Sequence, residues 1–177
     1  LRREFPGVPI AAFTATATRQ VQADIVRQLG LRDPFVVRAS FDRPEIFYRV
    51  EQKAGDVDAR VLAFVREHAG QPGIVYRSTR KAVDATAGYL AAHGVSAVAY
   101  HAGLDDATRH ERQEAFLRDE CAVVVATIAF GMGIDKPNVR WVVHADLPRS
   151  VEGYYQETGR AARDGEPADT LLLYGPA

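Results

Sequence analysis

What this chain of 177 residues lacks narrows its chemistry first. It has a single cysteine, Cys121, so neither a disulfide framework nor a cysteine-based zinc site can be built from it alone. Cys121 precedes an apolar run and reads as a buried core thiol. No apolar stretch approaches the length that spans a bilayer. The first residues, "LRREFPG", contain no apolar core of a secretory signal. A soluble, reducing, intracellular (cytoplasmic) setting is expected. Net charge is also missing: 22 basic against 23 acidic residues leave −1. That excludes a binder driven by a bulk positive field, though not a local arginine track. No Gly-x-x-x-x-Gly-Lys-Ser/Thr loop occurs anywhere, and no strand is followed by a DEAH-type acidic pair. Nothing in the sequence can therefore hold Mg²⁺ and a triphosphate unaided. His101 and His144 have no companions at ligand spacing, so no metal site is expected.

What is present is a core and an excess of arginine. Apolar residues make up 47%, enough to bury a core and to exclude disorder. Only Lys53, Lys81 and Lys136 are lysines, which leaves 19 arginines among the 22 basic residues. Arginine forks suit phosphate oxygens; genome composition is the alternative source of the bias.

Short apolar runs alternate with helical patterns. "VPIAAFTAT" reads as a buried strand, followed by the helix "RQVQADIVRQLG", stopped by Gly30. "DPFVVRASFDRPE" carries two prolines and reads as a connector. Then come strand "IFYRVEQ", helix "DVDARVLAFVREHAG", strand "GIVYRS", helix "TRKAVDATAGYLAAHG" and strand "VSAVAYH". Helix "DDATRHERQEAFLRD", capped by Asp105 or Asp106, leads into strand "CAVVVAT". "VRWVVHAD" and "DTLLLYG" are the last strands. This alternation predicts an α/β fold, a parallel sheet with helices on both faces. Residues 1–33 read as the end of one domain, 34–45 as a connector and 46–177 as a complete second domain. Ligands of such sheets sit beyond the carboxyl ends of the strands, where Ser78, Arg80, His101, Thr127 and the "FGMGIDKP" glycines fall.

Four motifs stand out, each with a plain structural reading beside the functional one. In "TIAFGMGIDKP", Gly131 and Gly133 permit positive φ or close backbone approach, and Asp135 offers an acceptor suited to a ribose hydroxyl; the alternative is a tight turn with a capping aspartate. His101 in "YHAGLDD" stands at a strand end, where a hydrogen-bonded loop residue is the plain reading. "TATAT", Thr14 to Thr18, closes a strand, its last threonine capping a helix. The strongest signal is "QETGRAARDG". A helix from Ser150 to about Arg163 would place Gln156, Arg160 and Arg163 on one stripe by their spacings of four and three. Such a stripe suits an anion; a solvated face is the alternative.

"FTATAT", "GIVYRSTR", "AYHAGLDDATR", "VVVATIAFGMGIDKPNVRWVVHADLPRS" and "EGYYQETGRAARDG" occur in the order of RecQ-type superfamily 2 DNA helicases, which the chain resembles over about residues 9–177. The resemblance implies the end of a first RecA-like domain and an entire second one, with ATP and Mg²⁺ held mainly by the first. It implies that Arg163 resembles the arginine finger, Arg160 its companion facing the phosphates, and Gln156 a residue coupling the two domains. Asp135, Gly131 and Gly133 fall to the nucleotide. Thr127, Ser78, Arg80 and His101 fall to the surface where single-stranded DNA tracks, and Thr14 and Thr16 to coupling hydrolysis with DNA binding. It further implies 3′-to-5′ translocation and duplex unwinding in recombination and repair. By this reading the segment alone binds ATP weakly and hydrolyses none. Ala162 departs from the family's "GRAGRDG", placing a methyl where glycine is usual, and Asp135 stands where many members carry Asn. Two alternatives remain at this point. One is a DEAD-box RNA helicase, which would want His at position 156; the other is a non-catalytic binding module of the same fold.

Overall fold

A computed structural model describes residues 4–14, 17–37, 42–131 and 134–175. The chain divides into two compact units, residues 1–42 and 43–177. In the first, α1 (Arg19–Leu29) starts where the Thr18 side chain accepts from the Val21 N–H at 3.3 Å and stops at Gly30, in the left-handed region at φ 59°. The strand expected at "VPIAAFTAT" is not there. Its described residues have no regular structure, and Phe13 is 95% exposed. A parallel strand needs neighbours to take its backbone hydrogen bonds, and the described part of this unit has no strand to offer.

The second unit holds every strand among the described residues: β1 (Ile46–Gln52), β2 (Gly73–Tyr76), β3 (Ala97–Tyr100), β4 (Val123–Ala126), β5 (Trp141–His144) and β6 (Ala168–Tyr174). They pair in parallel in the order β1-β6-β5-β2-β4-β3. β2, β4 and β5 lie inside the sheet, and all twelve of their residues are buried. That is why each reads as an unbroken apolar run rather than an alternation. Because all strands point the same way, the residues that follow them emerge along one edge.

α2 (Val57–Glu67) and α3 (Arg80–Ala92) cover one face. Val61, Phe64 and Val65 of α2 and Val83 and Leu90 of α3 pack with Val75, Val125, Trp141 and Leu171 of the sheet. α4 (Asp106–Leu117), capped by Asp105, lies on the other face. It buries Phe116 with Tyr76, Tyr100, Phe130 and Val142. α5 (Val151–Thr158) begins where the Ser150 hydroxyl accepts from the Gly153 N–H at 3.0 Å. Helices on both faces of a parallel sheet give the expected RecA-like α/β architecture. Cys121 is buried, as its sequence setting implied.

Candidate functional site

Two groups of polar side chains assemble, one at the strand-end edge and one along the loop that leads from β4 to the start of β5. The first follows the neighbouring strands β5, β2, β4 and β3, which deliver Asp146, Ser78, Thr127 and His101. The Ser78 N–H donates to Asp146 Oδ2 at 2.9 Å, and Lys53 Nζ donates to Asp146 Oδ1 at 3.0 Å. Arg77 Nε lies 3.4 Å from the same carboxylate. Burial pushes the Asp146 pKa up, but the Ser78 N–H and the Lys53 and Arg77 cations outweigh it and hold the group below its ordinary value. Ser78 and Arg80 are exposed. The Arg80 side chain lies over the turn after β3, where a Cβ on Gly103 would meet Arg80 Cδ at 3.1 Å. Thr127 is half-buried, its hydroxyl accepting from the Ala129 N–H at 3.4 Å.

His101 departs from the expectation that it lies on this surface. It is buried at 6% exposure. Nε2 meets Asp84 Oδ1 at 3.0 Å, and Nδ1 accepts from the Gly103 N–H at 3.1 Å. With both ring nitrogens engaged it fixes the turn from within, and Arg80 supplies the outward-facing polar group.

The second group joins the Gly-rich loop to the "QETGRAARDG" segment. The helix does not run to Arg163. It ends at Thr158, with Gly159 as its C-cap. The Thr158 hydroxyl donates back to the carbonyls of Tyr154 and Tyr155, which competes with continuing the helix. Arg160 and Ala161 then close short i→i+3 bonds, and Ala162 turns left-handed at φ 57°. The one-helix stripe is therefore replaced by a different convergence. Gln156 stays on α5, exposed, while both arginines swing onto the loop. Arg160 Nη1 donates to the Gly131 carbonyl, and Arg163 Nη1 donates to the Ile134 carbonyl and to Asp135 Oδ1, both at 2.9 Å. The Ala162 N–H donates to the Val139 carbonyl and the Asp164 N–H to the Pro137 carbonyl, so the two segments run side by side. Gly131 sits at φ 129°, and a Cβ there would fall on the Arg160 guanidinium. Glycine is required by both conformation and space. Gly133 and Thr16 lie outside the described residues; Thr14 is exposed in the irregular segment before α1.

Sequence reasoning missed two residues that hold these groups in place. Asp146 was legible as an acid just past a strand, in "HADLP", but nothing in the pattern announced that Lys53, 93 residues earlier, would meet it. Lys136 is 3% exposed, donates to Asp119 Oδ1 at 2.7 Å and stands 5.3 Å from the Phe116 ring. It fastens the Gly-rich loop to the end of α4, and no spacing rule points to it.

Chemically, the second group offers two arginine forks, one of them laid on the Gly131 backbone, and an outward carboxylate that is 90% exposed. Forks of this kind suit phosphate oxygens, and an exposed carboxylate suits a sugar hydroxyl, so the residues fit a nucleotide. Among the described residues no group of three His, Cys, Asp or Glu could hold a metal ion.

Comparison with known proteins gives the family and the fold. Residues 56–165 match the family of helicase conserved C-terminal domains. The chain is 52% identical over its full length to the ATP-dependent DNA helicase RecQ of Pasteurella multocida, spanning 28% of that protein. It is 46% identical over 98% of its length to the RecQ-like DNA helicase BLM of Xenopus laevis, covering 13% of it. Among solved structures, S. cerevisiae Dbp5 bound to RNA and ADP BeF3 superposes with a TM-score of 0.77 at 19% identity, over 93% of this chain and 44% of that one. Mycobacterium smegmatis helicase Lhr bound to ssDNA and AMP-PNP gives 0.61 at 22% identity, over 72% and 19%. At these identities the two structures speak to the fold alone.

Proposed function

Because the chain belongs to the helicase conserved C-terminal domain family, in its RecQ branch, we propose that it forms the second motor domain of an ATP-dependent DNA helicase that moves 3′ to 5′ on single-stranded DNA and opens duplexes in recombination and repair. The observation that carries this reading is the seating of Arg160 and Arg163 on the Gly-rich loop. It brings Arg160 against Gly131 and Arg163 against Asp135, the described residues that the sequence assigned to the nucleotide.

ATP, when bound with Mg²⁺ against the partner motor domain, supplies the reactive phosphoryl group. This chain's part is electrostatic. Arg163 acts as the finger: it can leave Asp135 for a phosphate at little cost, because an exposed ion pair is worth about 0–1 kcal/mol. Its release frees the Asp135 carboxylate to accept a ribose hydroxyl. Arg160 stays nearer the loop as the companion charge, and Gln156 on the exposed side of α5 meets the other motor domain. Ser78, Arg80 and Thr127 face the DNA backbone along the strand ends of β2 and β4, the threonine hydroxyl and arginine fork matching phosphate oxygens. Thr14 and Thr16 belong to the coupling between hydrolysis and DNA. In the intact helicase, Arg163→Ala should lower DNA-stimulated ATP turnover by about 10³–10⁵-fold, the range for arginine fingers. Near-wild-type turnover in that variant refutes the assignment.

A further inference from the structure

A buried polar pair sits directly behind the arginine segment, and the mechanism above makes no use of it. His144, the last residue of β5, is 1% exposed, and its Nε2 lies 2.6 Å from Glu157 Oε2 on α5. Glu157 is itself 9% exposed. An imidazole donor and a carboxylate acceptor buried together are costly unless they serve each other. The pair is clamped by rings on two sides. Tyr76 of β2 stacks on His144 with centroids 5.1 Å apart at 23°, and Tyr154 meets it edge-on at 4.9 Å. The Tyr76 hydroxyl donates to the Phe130 carbonyl at 3.3 Å, the peptide just before Gly131. Gly131 in turn accepts from Arg160, three residues beyond Glu157.

These contacts close a ring: Glu157, His144, Tyr76, Phe130, Gly131, Arg160 and back along the chain to Glu157. The ring ties the ends of β2 and β5 to both segments of the nucleotide site. One residue past the end of β2 is Arg77, then Ser78; two past the end of β5 is Asp146, which accepts from the Ser78 N–H. α5 is a short helix of eight residues, and it ends at Thr158. Its own length cannot fix the direction in which Arg160 and Arg163 leave it. A buried hydrogen bond one residue before its end can.

The geometry points to His144 as a positioning residue: by holding Glu157 it sets the exit of α5, so that Arg160 and Arg163 project toward the nucleotide while the strand ends beside them bear on DNA. This rests on the nucleotide reading of the two arginines. His144 touches neither substrate, so it acts through Glu157 alone.

Two substitutions in the intact helicase separate this role from packing. His144→Phe keeps an aromatic ring between Tyr76 and Tyr154 but has no donor. His144→Gln gives up the ring and keeps a donor. DNA-stimulated ATPase is measured for both, beside thermal midpoints and an Arg163→Ala control. The expected result is a kcat about 10–100-fold lower for His144→Phe, the scale of a small misplacement of catalytic groups, with KM for ATP nearly unchanged. His144→Gln should recover most of the turnover even where its midpoint is the lower of the two. The proposal is overturned if His144→Phe turns over like wild type, or if turnover in the two variants follows thermal midpoint rather than the donor. Should His144→Phe fail to fold, Glu157→Gln carries the same test, since it weakens the acceptor without changing shape; wild-type kcat there overturns the proposal. If Arg163→Ala retains full turnover, the nucleotide reading itself is wrong; if it loses turnover and the donor variants do not, only the positioning role falls.

Discussion

Ala162 shows how one backbone angle can reinterpret a motif. Alanine at this position reads in sequence as a helix former beside the nucleotide. In the structure it is 1% exposed and left-handed at φ 57°, the point where the chain leaves α5 to run along the Gly-rich loop. The glycine that the family usually carries here answers that angle and not only a need for space. For an L-residue the conformation costs about 1–2 kcal/mol, while the buried methyl returns about 0.8 kcal/mol and spares the entropy that glycine would lose. These contributions nearly cancel. Ala162→Gly should therefore stay within about 1 kcal/mol of the parent in urea denaturation. Ala162→Val adds a branched side chain at a positive φ inside a packed cluster, and should lose about 2 kcal/mol or more. A valine variant as stable as the parent would show that the turn relaxes to an ordinary angle.

The elements of the second unit were almost all legible, because central parallel strands write themselves as unbroken apolar runs and the caps Asp105 and Ser150 precede their helices. What failed was the end of α5 and the strand before α1. Spacing carries neither cause: Thr158 turning its hydroxyl onto the carbonyls of its own helix, and the want of sheet neighbours among the described residues of the first unit. The site followed the same rule. Arg160 and Arg163 were found by their type and their family register, but their real contacts are loop carbonyls that no periodicity could name. Lys136 was unreadable for a like reason, since its partner Asp119 lies on a different element. Its loss is the test of how the Gly-rich loop is held. Lys136→Met keeps the stem against Phe116 and removes the charge, leaving Asp119, which is largely exposed, to water. A loss of about 1–2 kcal/mol is expected in thermal unfolding, one charge-assisted hydrogen bond discounted for the exposed partner. No loss at all would mean the loop is held by its backbone bonds to the arginine segment alone.

Across the whole molecule the balance of charge is nearly even, so its response to acid depends on pairs rather than on net repulsion. Six carboxylates of the second unit are held below their ordinary pKa: Glu45 by Arg43, Asp105 by the Thr108 N–H, and four others. The Arg60 guanidinium lowers Glu51, Lys136 lowers Asp119, and Arg140 lowers Asp164; for Asp146 the Ser78 N–H and Lys53 overcome the opposing effect of burial. A depressed folded-state pKa means that the native state releases its proton more readily than the unfolded chain does. The resulting stability is fully present above the ordinary carboxylate range, near pH 4, and is lost as pH falls through the folded-state values. The thermal midpoint should therefore be flat from about pH 8 to about pH 5.5 and drop below about pH 4. Asp146 is the most enclosed of the four, and it joins β1, β2 and β5 through Lys53, Ser78 and the chain that follows His144. Asp146→Asn cannot ionise, so it should lower the midpoint at neutral pH yet make the acid limb shallower than in the parent. An acid limb of unchanged steepness in that variant would remove Asp146 from the set and leave the exposed pairs to account for it, which exposed pairs, worth little individually, could not do.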